Sequence, residues 1–477
     1  MVALLLFGVV AASLVALDRR PLDAGAPDLA APPPALQPVV RGGDLLTDSW
    51  FCPGVPAAAD GTAGGSVSIT NQGSTALAGT LTYLPSEGNR LQVPVSVPPL
   101  ARLDVDVAAV VKAPFVAVAV ELAGGGAFVE QTVTGRSGIG ISSCTSDPSP
   151  TWYLADGATT VDAGYRILLS NPFPDDAIVD MSFATDEGPR EPQALQGYVV
   201  PAGGLKVIKV DDHVRRNTLV SASIVARTGR VVVGRYQGYA ILPRRGIVSG
   251  LGSPAAGSEW WFANGEKSEG INERVVVYNP GEADVDVAIS LYPLDPEGAV
   301  PIEPLEVTLA GGASSVVDLT ASEVVPEGRH SIRVSSGGGE PIVVERIMDL
   351  ASDARRTTTV QPGSLMQSSQ WVMSAAAPGG STTTLAVVNP LATDTTLRVL
   401  VLGADGFRPA VGFESLKLPG AGSLRIEAPG GGVPLMVAAD GPVVVERMLV
   451  PAGGQAGAAS AYALPVVAGN GASEGAT

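Results

Sequence analysis

Histidine is nearly missing from this chain of 477 residues: His213 and His330 are the only two, and the repeats described below place them in different parts of the sequence. A His-based zinc site or a Ser-His-Asp triad needs its members in one domain, so neither can be assembled from this pair. Each histidine is expected in a loop or at a strand end. Cysteine is equally scarce, with Cys52 and Cys144 alone. Aromatic residues make up 5% and charged residues 16%, and the balance of charge is acidic, with a formal net of −17. Nucleic acid and anionic lipid headgroups call for basic patches that release counterions. Here lysine and arginine gather no further than pairs such as Arg215-Arg216, Arg244-Arg245 and Arg355-Arg356, so neither partner is expected.

Phosphate-binding loops, Gly-x-Ser-x-Gly elbows, dinucleotide fingerprints and calcium-loop spacings are also missing. Adjacent carboxylates occur at Asp175-Asp176 and Asp211-Asp212. Both pairs follow or end a strand, where solvated turn residues are the expectation ahead of a calcium site. No cofactor, no metal and no enzymatic activity are expected.

What the chain does contain is a repeated pattern. Trp260-Trp261-Phe262-Ala263-Asn264-Gly265 leads into a β-branched run that stops at Asn279-Pro280. Asn-Pro is a turn signal, because proline cannot donate to a ladder. Val285, Val287, Ile289 and Leu291 then alternate with smaller or polar residues, the period of a strand with one buried face. Pro341-Ile342-Val343-Val344-Glu345-Arg346 closes the repeat. Trp152, Asn171 and Val233-Gly234-Arg235 mark a second copy, and Trp371, Asn389 and Val445-Glu446-Arg447 another. The most divergent copy has Trp50-Phe51-Cys52-Pro53-Gly54, Asn71 and Glu130-Gln131. The tryptophans are 102, 108 and 111 residues apart and the asparagines 100, 108 and 110, so two markers advance together.

A period near one hundred residues suits a self-contained sandwich of about seven short strands. The expected fold is all-β: four tandem immunoglobulin-like or fibronectin-like sandwiches after an N-terminal apolar helix, joined in a row by short linkers. A propeller with one large blade per repeat is the alternative. The expected layout is a signal anchor or signal peptide at 1–20, a Pro/Ala-rich linker at 21–45, sandwiches at 46–148, 149–253, 254–365 and 366–468, and a disordered tail at 469–477. Glycine and proline, 58 and 39 residues, stay below the share that signals disorder. Tyr462-Ala463-Leu464-Pro465 echoes Tyr239-Ala240-Ile241-Leu242-Pro243, so the segment after each last strand is expected to pack on its own domain.

Residues Val2 to Leu17 form one apolar run of 16 residues. That length fits a signal-peptide core or a short anchor, and the proline after Ala24-Gly25-Ala26 disfavours cleavage there. An uncleaved anchor in the cytoplasmic membrane is preferred over secretion after cleavage. Outside the cytoplasm Cys52 and Cys144 would form a disulfide clamping the first and last segments of the first sandwich.

The opening Trp-aromatic-(Leu/Phe)-Ala-(Asp/Asn)-Gly, the strand ending in Asn-Pro and the Val-Val-Glu-Arg close resemble a β-repeat family of secreted or membrane-anchored actinobacterial proteins known as a domain of unknown function. The resemblance runs over residues 50 to 465 and implies an extracytoplasmic β-repeat protein. It brings no catalytic residues.

Two aromatic positions carry the candidate site. The lead tryptophan is expected to plug one end of each core. Tyr153 and Trp261, the second aromatics, are candidate ligand contacts on which a sugar could stack. Glu345-Arg346 and its copies are expected to blunt an edge or to meet the next domain's aromatic start. The functional expectation is a non-catalytic envelope protein acting as scaffold, spacer or interaction module, with envelope proteins as partners and the membrane reached through the N-terminal helix only. A carbohydrate-binding accessory for cell-wall glycans is the alternative.

Overall fold

A computed structural model describes residues 36–42, 45–240, 244–294, 302–352, 355–375, 381–452 and 457–467. The expected anchor at 2–17, its linker up to residue 35 and the tail at 469–477 lie outside the described residues. Among the described residues no helix is long and apolar enough to cross a membrane. Strands dominate among the described residues, where the one α-helix, Val107–Val110, is a single turn.

Each repeat folds into two facing antiparallel sheets. In the first repeat one sheet places strand one, Thr47–Ala57, beside strand six, Ala113–Ala123, then strand three, Leu77–Pro85, and strand four, Leu91–Val97. The other runs from strand five, Ala101–Asp106, through strand two, Ala63–Asn71, and strand seven, Ala127–Gly135, to strand eight, Gly138–Ser143. The third repeat has the same order, from Glu259–Lys267 to Arg355–Pro362. In the second repeat, Thr151–Leu154 to Gly246–Leu251, strand four is split into two pieces. In the fourth, strands six and seven form one long strand, Leu435–Val450.

This order corrects the immunoglobulin-like expectation at the level of topology. In the immunoglobulin order the first strand shares a sheet with the second and the seventh with the sixth. Here the first pairs with the sixth and the seventh with the second, so the two have traded sheets. A hydrophobic period fixes which face of a strand is buried, and carries no information on which neighbour it pairs with.

Two markers hold each sandwich together. The four lead tryptophans are at most 1% exposed. The indole N–H of Trp152 donates to the carbonyls of Ser149 and Val231, that of Trp260 to Gly257 and Ile342, and that of Trp371 to Ser368 and Val443. Each thus pins the entry segment to the start of strand seven. The four asparagines are buried at the end of strand two. In each the side-chain Nδ2 donates to the carbonyl four residues on, at 2.8 Å, while Oδ1 accepts the N–H two residues on. The crossing turn between the sheets therefore has its backbone groups satisfied by one side chain, which explains why asparagine recurs.

The expected row of domains closes on itself. Strand one of the first, second and third repeats lies against strand seven of the repeat that follows. The fourth reaches the first through a hydroxyl contact between Ser374 and Thr70 at 3.1 Å. Each eighth strand packs against the eighth strands of both neighbours, the fourth repeat's against the first's included. The described residues from 36 to 467 accordingly belong to one compact unit, a ring of four sandwiches about a pseudo-fourfold axis. The echo between Tyr239 and Tyr462 has no structural counterpart: Tyr239 ends strand seven of its repeat, whereas Tyr462 lies in strand eight of the fourth.

Candidate functional site

The recurrent Glu-Arg dipeptide sits on strand seven, where neighbouring side chains leave in opposite directions. Arg235 of the second repeat holds Glu345 of the third through two contacts of 2.8 Å. Arg346 of the third holds Glu446 of the fourth at 3.0 Å, and Arg447 of the fourth holds Glu130 of the first at 2.8 Å. All six side chains are buried.

Each glutamate also accepts a backbone N–H from the aromatic opening of the repeat before it. Asp156 donates to Glu345 at 2.7 Å, Ala263 to Glu446 at 2.9 Å and Ser374 to Glu130 at 3.2 Å. The expected meeting with an aromatic start is therefore found, in the preceding repeat and not the next one. Arginine points forward and glutamate back.

The joint between the first and second repeats is neutral. Gln131 stands where the others have arginine, and Gly234 where they have glutamate. The opening opposite carries Pro53, which has no N–H to give. A Cβ on Gly234 would lie 2.5 Å from the Pro53 Cβ, so the proline fills the space a side chain would need. The Gln131 side-chain Oε1 instead accepts the Gly54 N–H of its own repeat at 3.3 Å.

Further charges support the joint of the second and third repeats. Asp156 pairs with Arg244 at 2.7 Å and 2.9 Å, and Arg244 also donates to the Tyr239 hydroxyl at 2.7 Å. Burial alone would raise the Asp156 carboxyl. Arg244 above all, with Arg235 and Arg274, outweighs it and holds the group below its usual range. Burial pushes the Glu345 carboxyl up, against the pull of Arg235.

The second aromatics are packing residues. Phe51 joins the core of the second repeat, with its ring 6.3 Å from that of Phe173. Tyr153 packs on the core of the third. Trp261 is 5% exposed, belongs to the core of the fourth repeat and stacks on Tyr292 at 5.6 Å. Val372, the equivalent position in the fourth, lies in the core of the first. Trp261 thus has no open ring face, and Tyr153 is half-buried against its neighbour. Both positions therefore act as docking pegs between repeats, and at Trp261 the packing leaves no platform for a sugar.

The remaining candidates have local duties. Asp176 accepts the Ala202 N–H at 2.8 Å and Asp211 that of Tyr165 at 3.3 Å. No group of three metal-ligating side chains occurs among the described residues. His213 ends a 3-10 turn. His330 does not end a strand: it lies within Gly328–Ser336, 3% exposed, with Nε2 2.8 Å from Glu273 Oε2. Glu273 has no exposure, so a substrate has no route to this pair. Glu273 carried no repeat signal and could not be singled out by sequence. Cys52 and Cys144 form a disulfide with Cα atoms 4.4 Å apart.

At one end of the axis the eighth strands surround a cavity of about 80 Å³. Ser142, Ser249, Gln361 and Tyr462 line it together with Leu251 and Leu464. Leu36, Gln37 and Pro38 also line it.

No curated protein matches the chain. The solved structure "Crystal Structure of Thermotoga maritima 1070" is 18% identical over 23% of this chain and 96% of its own, with a TM-score of 0.21. A tetra-tandem repeat in the extending region of a large adhesion protein is 14% identical over 84% of this chain and 95% of its own, with a TM-score of 0.10. Neither likeness carries an argument. Residues 245–468, which begin just before the last strand of the second repeat and take in the whole of the third and fourth, match a family of unknown function, DUF5719.

Proposed function

We propose that this protein is a non-catalytic component of the cell envelope, held outside the cytoplasm, where the ring serves as a rigid scaffold or interaction module. One observation carries the reading. The buried Arg-Glu pairs and the second aromatics that recur between repeats are all engaged in holding one repeat to the next. A molecule built this way presents fixed surfaces at fixed spacing, as a scaffold must. The disulfide and the apolar N-terminal run support placement outside the cytoplasm.

Fractionation of the native host tests the placement: the protein is expected with the envelope, with Cys52 and Cys144 protected from alkylation until reductant is added. Recovery in the cytosol with two reactive thiols overturns it. Proximity labelling from the ring tests the role. Envelope proteins labelled by the intact ring, and lost when Glu446→Ala loosens it, are the expected result. Retention on purified wall polysaccharide, abolished by Tyr153→Ala, would replace the scaffold reading with glycan binding.

A further inference from the structure

Three of the four joints in the ring are crossed by a covalent linker, and the fourth is closed by a separate strand. Val40 and Arg41 pair in parallel with Val466 and Val467, and the Gly42 N–H donates to the Val467 carbonyl at 2.8 Å. Val40 is 1% exposed and sits in the core of the first repeat with Val372 and Leu464. Arg41 grips both carboxylate oxygens of Asp147 at 2.7 Å and 2.8 Å and reaches the Ser146 hydroxyl at 3.3 Å. Further along, the Gln37 side-chain oxygen accepts the Leu365 N–H at 2.9 Å and the Ser364 hydroxyl at 3.0 Å. The leader from Leu36 to Gly42 is therefore read by backbone pairing, by one apolar pocket and by two polar side chains. Those are the elements by which a sheet edge recognises an extended peptide.

The leader leaves part of its site unmatched. Ser249 lines the axial cavity, 8% exposed, and its Oγ is buried without a partner. A buried donor of this kind is normally satisfied, and a peptide carbonyl reaching deeper than Leu36 would satisfy it.

We propose that the seam between the fourth and first repeats is an acceptor site for an extended peptide strand, with the leader Leu36–Gly42 as its resident, exchangeable ligand. The recognised pattern is glutamine, proline, two aliphatic residues and arginine, as in Gln37-Pro38-Val39-Val40-Arg41. Proline at the second place lowers the ordering cost of binding by fixing its own backbone.

The test uses the full chain, with Gly43-Asp44 replaced by a protease site and cut after folding. A fluorescent synthetic peptide of residues 36–42 is expected to bind the cut protein saturably and to displace the native leader, as read by anisotropy and by mass spectrometry of the released segment. Peptides carrying Gln37→Ala or Arg41→Ala should bind at least about tenfold more weakly, since the first loses two hydrogen bonds and the second three, two of them to a carboxylate. Failure of the peptide to bind cut protein that keeps its near-ultraviolet circular dichroism overturns the proposal. Binding that neither substitution weakens overturns it too, and so does unfolding on cleavage, because the leader is then an integral strand.

Discussion

Arg346 and Glu446 meet at 3.0 Å across two repeats, each side chain no more than 1% exposed. A pair so buried gives up two hydration shells, and its net contribution to stability can be near zero while removal of one partner is expensive. Glu446→Ala should therefore lower stability by about 3–5 kcal/mol, since Arg346 keeps only the longer contact to Glu273 at 3.7 Å and the Ala263 N–H loses its acceptor. The double variant Arg346→Met with Glu446→Leu should recover much of that loss. Urea unfolding midpoints of the two single variants and the double variant measure the coupling; additive effects would show that the pair does not act as one.

How far sequence reaches is visible in this same dipeptide. The asparagine markers and three of the four tryptophans were legible because they satisfy backbone groups within their own repeat, so their spacing tracks the domain. Alternation along strand seven was legible as well, and it requires Glu345 and Arg346 to face opposite ways. What the opposite directions meant was not legible: one residue addresses the repeat behind and the other the repeat ahead, and only the closed ring supplies both. Trp261 misled for the same reason. A second aromatic beside a buried one reads as exposed until the neighbouring sandwich covers it. The strand order, in which the first and seventh strands trade sheets, leaves no trace in a two-residue period.

Asp156 should give the protein an acid-sensitive component. Its carboxyl is held below the usual range in the folded state, so its contribution is fully present above the unfolded value near pH ~4 and fades as pH falls through the folded one. Glu345 is shifted the opposite way and offsets part of this loss. Asp156→Asn should lower the melting temperature at pH 7, because Arg244 loses its carboxylate, and should flatten the fall in stability below about pH 4. Thermal unfolding of both proteins at several pH values decides; parallel curves would count against Asp156.

The disulfide closes a loop of 92 residues, and Cys52 stands beside the neutral joint. Reduction, or Cys52→Ser with Cys144→Ser, should destabilise by up to roughly 4–5 kcal/mol in the chain-entropy account. Hydrogen exchange should rise first in strand one of the first repeat, where Phe51 exchanges two backbone hydrogen bonds with Thr145. Exchange that rises evenly round the ring would show that the cross-link supports the ring as a whole.

Gly234 offers the most direct probe of the neutral joint. Restoring the ionic pattern with Gln131→Arg and Gly234→Glu should not create a fourth ion-paired joint. The new Cβ meets Pro53 at 2.5 Å, and that proline has no N–H for the carboxylate to accept. Overpacking of this kind costs about 1–3 kcal/mol, and a buried glutamate short of one hydrogen bond adds to it. Adding Pro53→Gly removes that Cβ and supplies the missing donor, so the triple variant should regain stability lost by the double. A double variant as stable as the native protein, measured by urea unfolding, would show that the neutral joint is not a matched set of three replacements.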